Sequence, residues 1–262
     1  MTAVEDAIVL KNGSKTFQED AENPVYVLEN INLTIKKGEF YILLGPSGCG
    51  KSTLLNIFAG FLDLSDGDLQ IITSNKTNRN SCGFVFQSAD SALFPWLTVE
   101  ENISFGLKMK KMPLEERREI AEYYIKLTGL TGHGKKFPDN LSGGMKQRVQ
   151  LARVLANEPE ILLMDEPFGA LDAMTRRSMQ KELIRIWRET NKTVIFVTHD
   201  IQEAILLGQR IGIMSIGPSS KITSSYEINL PYPRDITSIE FNKYYRQVQA
   251  HFEDINLQIE ER

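Results

Sequence analysis

Cysteine is scarce in this 262-residue chain: only Cys49 and Cys82 occur. Two cysteines cannot build a disulfide framework, and their scarcity suggests a reducing, cytosolic setting. A basic surplus is also missing. Aspartate and glutamate number 34 against 30 lysines and arginines, leaving a formal charge of −4. That balance argues against a nucleic-acid footprint. Long apolar runs are absent as well. None approaches the roughly 18–20 residues that a membrane-spanning helix needs. The opening residues, Met-Thr-Ala-Val-Glu-Asp, are acidic where a secretory leader would be basic. There is no internal repeat and no low-complexity tract. What remains is ordinary globular material, 42% apolar and 24% charged, enough to bury a substantial core.

Short apolar runs at Ile31–Ile35, Phe40–Leu44, Gly83–Phe86, Ile161–Met164, Val194–Val197 and Ile211–Met214 read as buried strands. Helical patterns follow several of them, which predicts an α/β core with a largely parallel sheet. No strand pattern occurs between Leu97 and Ala156. Thr98 and Glu101 form a capping box there, and Leu114, Ala121, Tyr124, Ile125 and Thr128 recur at helical spacing. That stretch reads as a helical insertion. Gly217–Lys221 is a turn-rich connection, and Pro231 and Pro233 interrupt regular structure. Beyond them Phe241, Tyr245, Val248, Phe252 and Ile255 line one helical face. That face suits packing on its own domain, or a partner subunit.

Gly45-Pro46-Ser47-Gly48-Cys49-Gly50-Lys51-Ser52-Thr53 contains the spacing G-x-x-x-x-G-K-[ST]. A strand pattern precedes it, and a helical run from Ser52 to Ala59 follows, the context that a phosphate-binding loop requires. Glycines let successive backbone N–H groups point at phosphate oxygens. The helix N-terminus adds the positive end of its dipole. Lys51 is expected to contact the β and γ phosphates, and the Ser52 hydroxyl to bind Mg²⁺. Cys49 reads as a small loop residue.

Ile161–Met164 runs into Asp165 and Glu166, two carboxylates at a strand's carboxyl end, where α/β sheets place their sites. Asp165 suits Mg²⁺ held through water, and Glu166 suits proton acceptance from an attacking water. His199 follows the strand pattern Thr193–Thr198, before Asp200, a plausible N-cap. It could hydrogen-bond a γ-phosphate. Gln87 ends another strand and could reach the metal or the water.

Leu141-Ser142-Gly143-Gly144-Met145-Lys146-Gln147-Arg148 resembles the signature motif of ABC-type ATPases. The phosphate loop, Gln87, the signature, Asp165-Glu166, Ala170-Leu171-Asp172 and His199 occur in that family's order, over about residues 5–215. The resemblance implies a P-loop NTPase α/β fold with a RecA-like core, an N-terminal antiparallel β part and an inserted helical subdomain. The implied division is residues 1–87 with 157–216 for the core, 88–156 for the helical subdomain with the signature, and 217–262 for a C-terminal extension. Ser142, Gly143 and Gly144 would open a helix running to Ala156 and meet the γ-phosphate of ATP held by a second, head-to-tail subunit. Asp172 would cross the same interface. Two departures stand out: Met145 replaces the usual Gln, and the adenine-stacking aromatic, usually Tyr, is best matched by Phe17, with Tyr26 nearby.

Phe94-Pro95-Trp96, Pro167–Ala173 and Pro231-Tyr232-Pro233-Arg234-Asp235 further resemble the nitrate, sulfonate, taurine and bicarbonate importer branch. The resemblance implies an ATP-hydrolysing subunit at the cytoplasmic face of the membrane. It would meet transmembrane permease subunits through Gln87–Val99, and a solute-binding protein indirectly. An exporter ATPase, or a soluble ABC-type ATPase of DNA repair or translation, is the alternative. The single cassette and the absence of a long coiled coil between the motifs disfavour the soluble kinds.

Overall fold

The computed structural model describes residues 5–20, 23–74, 81–217 and 219–260. Met1–Val4 of the acidic start and Pro218 of the turn-rich connection lie outside the described residues, as does the side chain of Ile255. The chain separates into two compact units, residues 1–77 with 193–262 and residues 78–192.

The first unit contains β1 (Asp6–Asp20), β2 (Asn23–Lys36), β3 (Phe40–Leu44), α1 (Lys51–Phe58) and β4 (Asp66–Ile71). The second contains β5 (Cys82–Val85), α2 (Ala89–Ala92), α3 (Val99–Met109), α4 (Leu114–Leu127), α5 (Gly143–Leu155), β6 (Ile161–Asp165) and α6 (Ala173–Thr190). The chain then returns to the first unit with β7 (Thr193–Thr198), α7 (Ile201–Leu207), β8 (Arg210–Met214), β9 (Ile222–Glu227) and α8 (Ile239–Glu260).

In the first unit β1 lies antiparallel between β2 and β4. A second set runs β7-β3-β8-β9, with β3 parallel to β7 and β8, and β9 antiparallel at β8. All five residues of β3 and all six of β7 are buried, as continuous apolar runs covered on both faces should be. Ile31–Ile35 differs from that expectation. Ile31, Leu33 and Ile35 are buried, but Asn32 and Thr34 are exposed. The segment is the one-sided part of a long antiparallel strand. The expected antiparallel β part is present as β1, β2 and β4. α8 buries Phe241 and Val248 and packs on α7, so its apolar face is used within its own unit.

In the second unit β5 and β6 pair in parallel, Cys82 opposite Ile161 and Val85 opposite Met164. α3, α4 and α5 pack on one another. No described residue between Leu97 and Ala156 is in a strand. The Thr98–Glu101 capping box closes in both directions: Glu101 Oε2 accepts from the Thr98 amide at 2.8 Å, and Thr98 Oγ1 from the Glu101 amide at 3.3 Å.

Candidate functional site

In the first unit, β3 delivers the chain into the 45–53 loop and α1 carries it away. The sequence can make this turn because Gly48 and Gly50 adopt left-handed backbones, with φ of +78° and +89°. At Gly50 a Cβ would also press to 2.8 Å from Leu28 Cδ2. Gly50 is the N-cap of α1 and supplies no side-chain acceptor, and the first turn holds no acidic residue. The opening amides of α1 are thus unneutralised by side-chain anions, the arrangement that favours a bound anion. Ser47, Gly48 and Ser52 are exposed at the loop's rim, Pro46 and Thr53 are half-buried, and Cys49 is buried. Lys51 folds back beneath the loop. Its Nζ donates to the carbonyls of Gly45 at 2.8 Å and Pro46 at 2.7 Å.

His199 belongs to the same unit. β3 and β7 are in parallel register, Leu44 opposite Thr198, so Gly45 and His199 leave adjacent strand ends. The Gly45 amide donates to the Thr198 carbonyl at 3.4 Å. Thr198 Oγ1 donates to buried Glu203 at 2.6 Å and accepts from the Asp200 amide at 3.1 Å. Asp200 in turn caps α7 by accepting from the Glu203 amide at 3.0 Å. His199 is exposed on this braced turn. The bracing residues Thr198 and Glu203 are not among the candidates that the sequence motifs pick out, although Asp200-x-x-Glu203 has the spacing of a capping pattern.

Phe17 lies in β1 opposite Val25; the residue is 39% exposed, and Lys15 Nζ is 5.2 Å from its ring centroid. Tyr26 sits in β2 opposite Thr16, one residue on from Phe17's partner, and therefore faces the other side of the ladder.

The second unit carries the acidic pair. Asp165 ends β6 and Glu166 follows it, both half-buried. Glu166 adopts φ +42°, the left-handed region that a side chain disfavours. Its carbonyl accepts from the Gly169 amide at 3.1 Å, closing a tight turn. Gln87 is exposed against that turn: its Nε2 lies 3.6 Å from where a Cβ on Gly169 would be. The structure thus brings Gln87 to the loop after the acidic pair.

The signature residues open α5 as expected. Ser142 is its N-cap and accepts from the Met145 amide at 3.4 Å. Ser142 and Gly143 are exposed, whereas Gly144 is buried against α6. Asp172 is the N-cap of α6, accepting from the amides of Met174 at 3.0 Å and Thr175 at 3.1 Å. Hydrogen bonds from Thr175, side chain first and then amide, hold its carboxyl below the usual range.

The 94–98 loop of the second unit is built around buried Asn102. Its side chain accepts from the Phe94 amide at 2.9 Å and donates to the carbonyls of Phe94, Leu97 and Thr98, each at 3.0 Å. Phe94 packs on Phe105 and under Arg153, so it belongs to the helical core's edge. Trp96 stands 69% exposed.

The donors available to a metal are few. No group of three or more His, Cys, Asp or Glu side chains is clustered among the described residues. The Ser52 hydroxyl in the first unit and the Asp165 carboxylate in the second are each hard oxygen donors, the kind suited to an ion that keeps several waters and takes further ligands from phosphate. Among the described residues no helix is long and apolar enough to cross a membrane.

Residues 28–169 match the family model described as ABC transporter. The aliphatic sulfonates import ATP-binding protein SsuB of Bacillus cereus is 47% identical over 242 residues, covering 92% of this chain and 93% of its own. The taurine import ATP-binding protein TauB of Pelagibacter ubique is 45% identical over 227 residues, covering 86% and 83%. Among solved structures, a dimeric post-hydrolysis ATP-binding cassette bound to ADP and Pi is similar at a TM-score of 0.72 and 38% identity. It covers 86% of this chain and 100% of that one.

Proposed function

This chain belongs to the ABC transporter ATPase family, and from that membership we propose that it is the energy-coupling subunit of an importer for a small anion such as a sulfonate, taurine, nitrate or bicarbonate. The observation that carries the reading is the identity to an import ATP-binding protein across more than nine-tenths of both chains. The proposed reaction is ATP plus water to ADP and phosphate.

Phosphates seated on residues 45–53 would draw Lys51 away from the Gly45 and Pro46 carbonyls toward the β and γ oxygens. Phe17 would stack on the adenine. Ser52 and Asp165 would hold Mg²⁺, with Gln87 close by. The ion would supply neutralisation of phosphate charge. Glu166 would accept a proton from the water that attacks the γ-phosphorus, and His199 would hydrogen-bond the γ-phosphate. Positioning and charge neutralisation supply most of the rate in such chemistry.

The proposed assembly is a head-to-tail pair. Ser142, Gly143 and Gly144 of one copy would meet the γ-phosphate bound by the other, with Asp172 at the same junction. Residues 88–156 would form the helical subdomain, 1–87 with 157–216 the ATPase core, and 217–262 the extension. Permease subunits would dock on Gln87–Val99, holding the pair at the cytoplasmic face of the membrane, and a solute-binding protein would feed the permease. Replacing Glu166 by Gln tests the reading. ATP binding should persist and a closed dimer accumulate, while turnover falls by about 10²–10⁴-fold. Turnover at the unaltered rate overturns the role given to Glu166.

A further inference from the structure

α7 has only seven residues, too short to hold its shape by its own hydrogen bonds. Its first turn is fixed by Asp200, immediately after His199. Its last turn is fixed from far along the chain. Tyr232 Oη donates to the Leu207 carbonyl at 2.5 Å. Arg234 Nη1 donates to the carbonyl of Ile205 and, at 2.6 Å, to that of Gly208. The same guanidinium also reaches the carbonyls of Leu230, through Nε at 3.2 Å, and Ile228, through Nη2 at 3.1 Å. Its Cζ lies 4.2 Å from the Tyr232 ring centroid.

Arg234 is thus a half-buried cation whose donors converge on backbone carbonyls, with its charge at the negative end of α7's dipole. The helix between the two fixings lies on β3 and β7, the strands that carry the phosphate loop and His199. At its tail a Cβ on Gly208 would come within 2.3 Å of Ile42 Cγ1, so the helix has no room to slide toward β3.

We infer that Arg234 and Tyr232 are positioning residues for ATP hydrolysis, acting through α7 to fix where His199 stands relative to the phosphate loop. This rests on the proposed role of His199. A lysine at 234 keeps the charge but cannot span the carbonyls that the guanidinium fork holds. Displacements of about 1 Å at a catalytic group cost up to about a hundredfold in rate, so a partly retained clamp should cost less.

The test is steady-state and single-turnover ATPase kinetics of Arg234→Lys, alone and combined with His199→Ala. The expected result is a kcat about tenfold lower with KM for ATP within about twofold. In the His199→Ala background the same change should leave the residual kcat unaltered. Equal losses in the two backgrounds, or an unaltered kcat, overturn the inference. Should Arg234→Lys fold poorly, Tyr232→Phe removes one hydroxyl contact. It should lower kcat less, and again only where His199 is present; an unaltered kcat, or loss in both backgrounds, overturns the inference equally. Unaltered kcat in His199→Ala alone overturns the role of His199 and the clamp with it, whereas additive losses overturn the clamp alone.

Discussion

Gly144 and Thr175 approach so closely that a Cβ on Gly144 would lie 2.4 Å from the Thr175 methyl carbon. The second signature glycine therefore has a packing duty, letting α5 meet α6, besides any duty toward phosphate. Gly144→Ala should destabilise the protein by about 1–3 kcal/mol, the usual cost of overfilling a packed contact. Thr175→Ser removes that methyl and keeps the hydroxyl. It should restore most of the stability of Gly144→Ala in urea denaturation. Failure of the serine to rescue would show that the clash is not the cause.

Glu166 should carry a stability cost for its function. A non-glycine residue at φ +42° pays on the order of 1 kcal/mol, and asparagine pays less there than most residues. Glu166→Asn should raise the denaturation midpoint slightly while losing turnover. Glu166→Gln should lose turnover with little change in midpoint, because it keeps the same backbone penalty. A lower midpoint for the asparagine variant would refute the strain.

The difference between legible and hidden features is one of range. β3, its phosphate loop and the capping box at Thr98 are specified by neighbours within a few residues, so their spacing was readable. β4 offered no such pattern, because its residues are exposed or only half-buried. β1 is interrupted by Asn12 at φ +51° and by register shifts, which break the alternation a strand would show. The duties of Gly144 and Arg234 depend on partners about 30 residues away that only the folded chain supplies. Asp172 was legible as a functional position but not as a cap, since no spacing marked Met174 and Thr175, whose amides donate to it, as the first turn of a helix.

Acid should weaken the helix starts of the second unit. Glu101 is held below the usual carboxyl range chiefly by the Thr98 amide, and Asp172 chiefly by Thr175. For a carboxylate whose folded pKa is depressed, the stabilisation is complete above the unfolded value and is lost as pH falls through the folded one. Asp172→Ala should therefore lower the urea midpoint at pH 7, and the gap to the unaltered protein should shrink below about pH 4. Asp172→Asn, which also caps, should show a smaller gap at pH 7. A gap independent of pH would show that the carboxylate charge contributes nothing to the cap.

Asn102 is the residue on which the 94–98 loop depends. Its amide is fully buried and pairs the Phe94 N–H and the Leu97 carbonyl, and it adds a second donor to the Phe94 and Thr98 carbonyls, which also accept from the Leu97 and Asn102 amides. Asn102→Ala should cost about 3 kcal/mol, since the Phe94 N–H and the Leu97 carbonyl lose their side-chain partner together. Asn102→Asp keeps the acceptor for Phe94 but presents a carboxylate to three carbonyl oxygens, so it should be no better tolerated. Because Trp96 is already exposed, its loosening should be read through motion: time-resolved anisotropy of Trp96, measured in a Trp187→Phe background, should decay faster in Asn102→Ala. An unchanged decay with the expected stability loss would place the effect in the helices rather than in the loop. If Trp96 contacts a permease, the same variant should weaken permease-coupled turnover more than the ATPase of the isolated chain. The amide of Asn102 would then set the shape of the docking surface from beneath it.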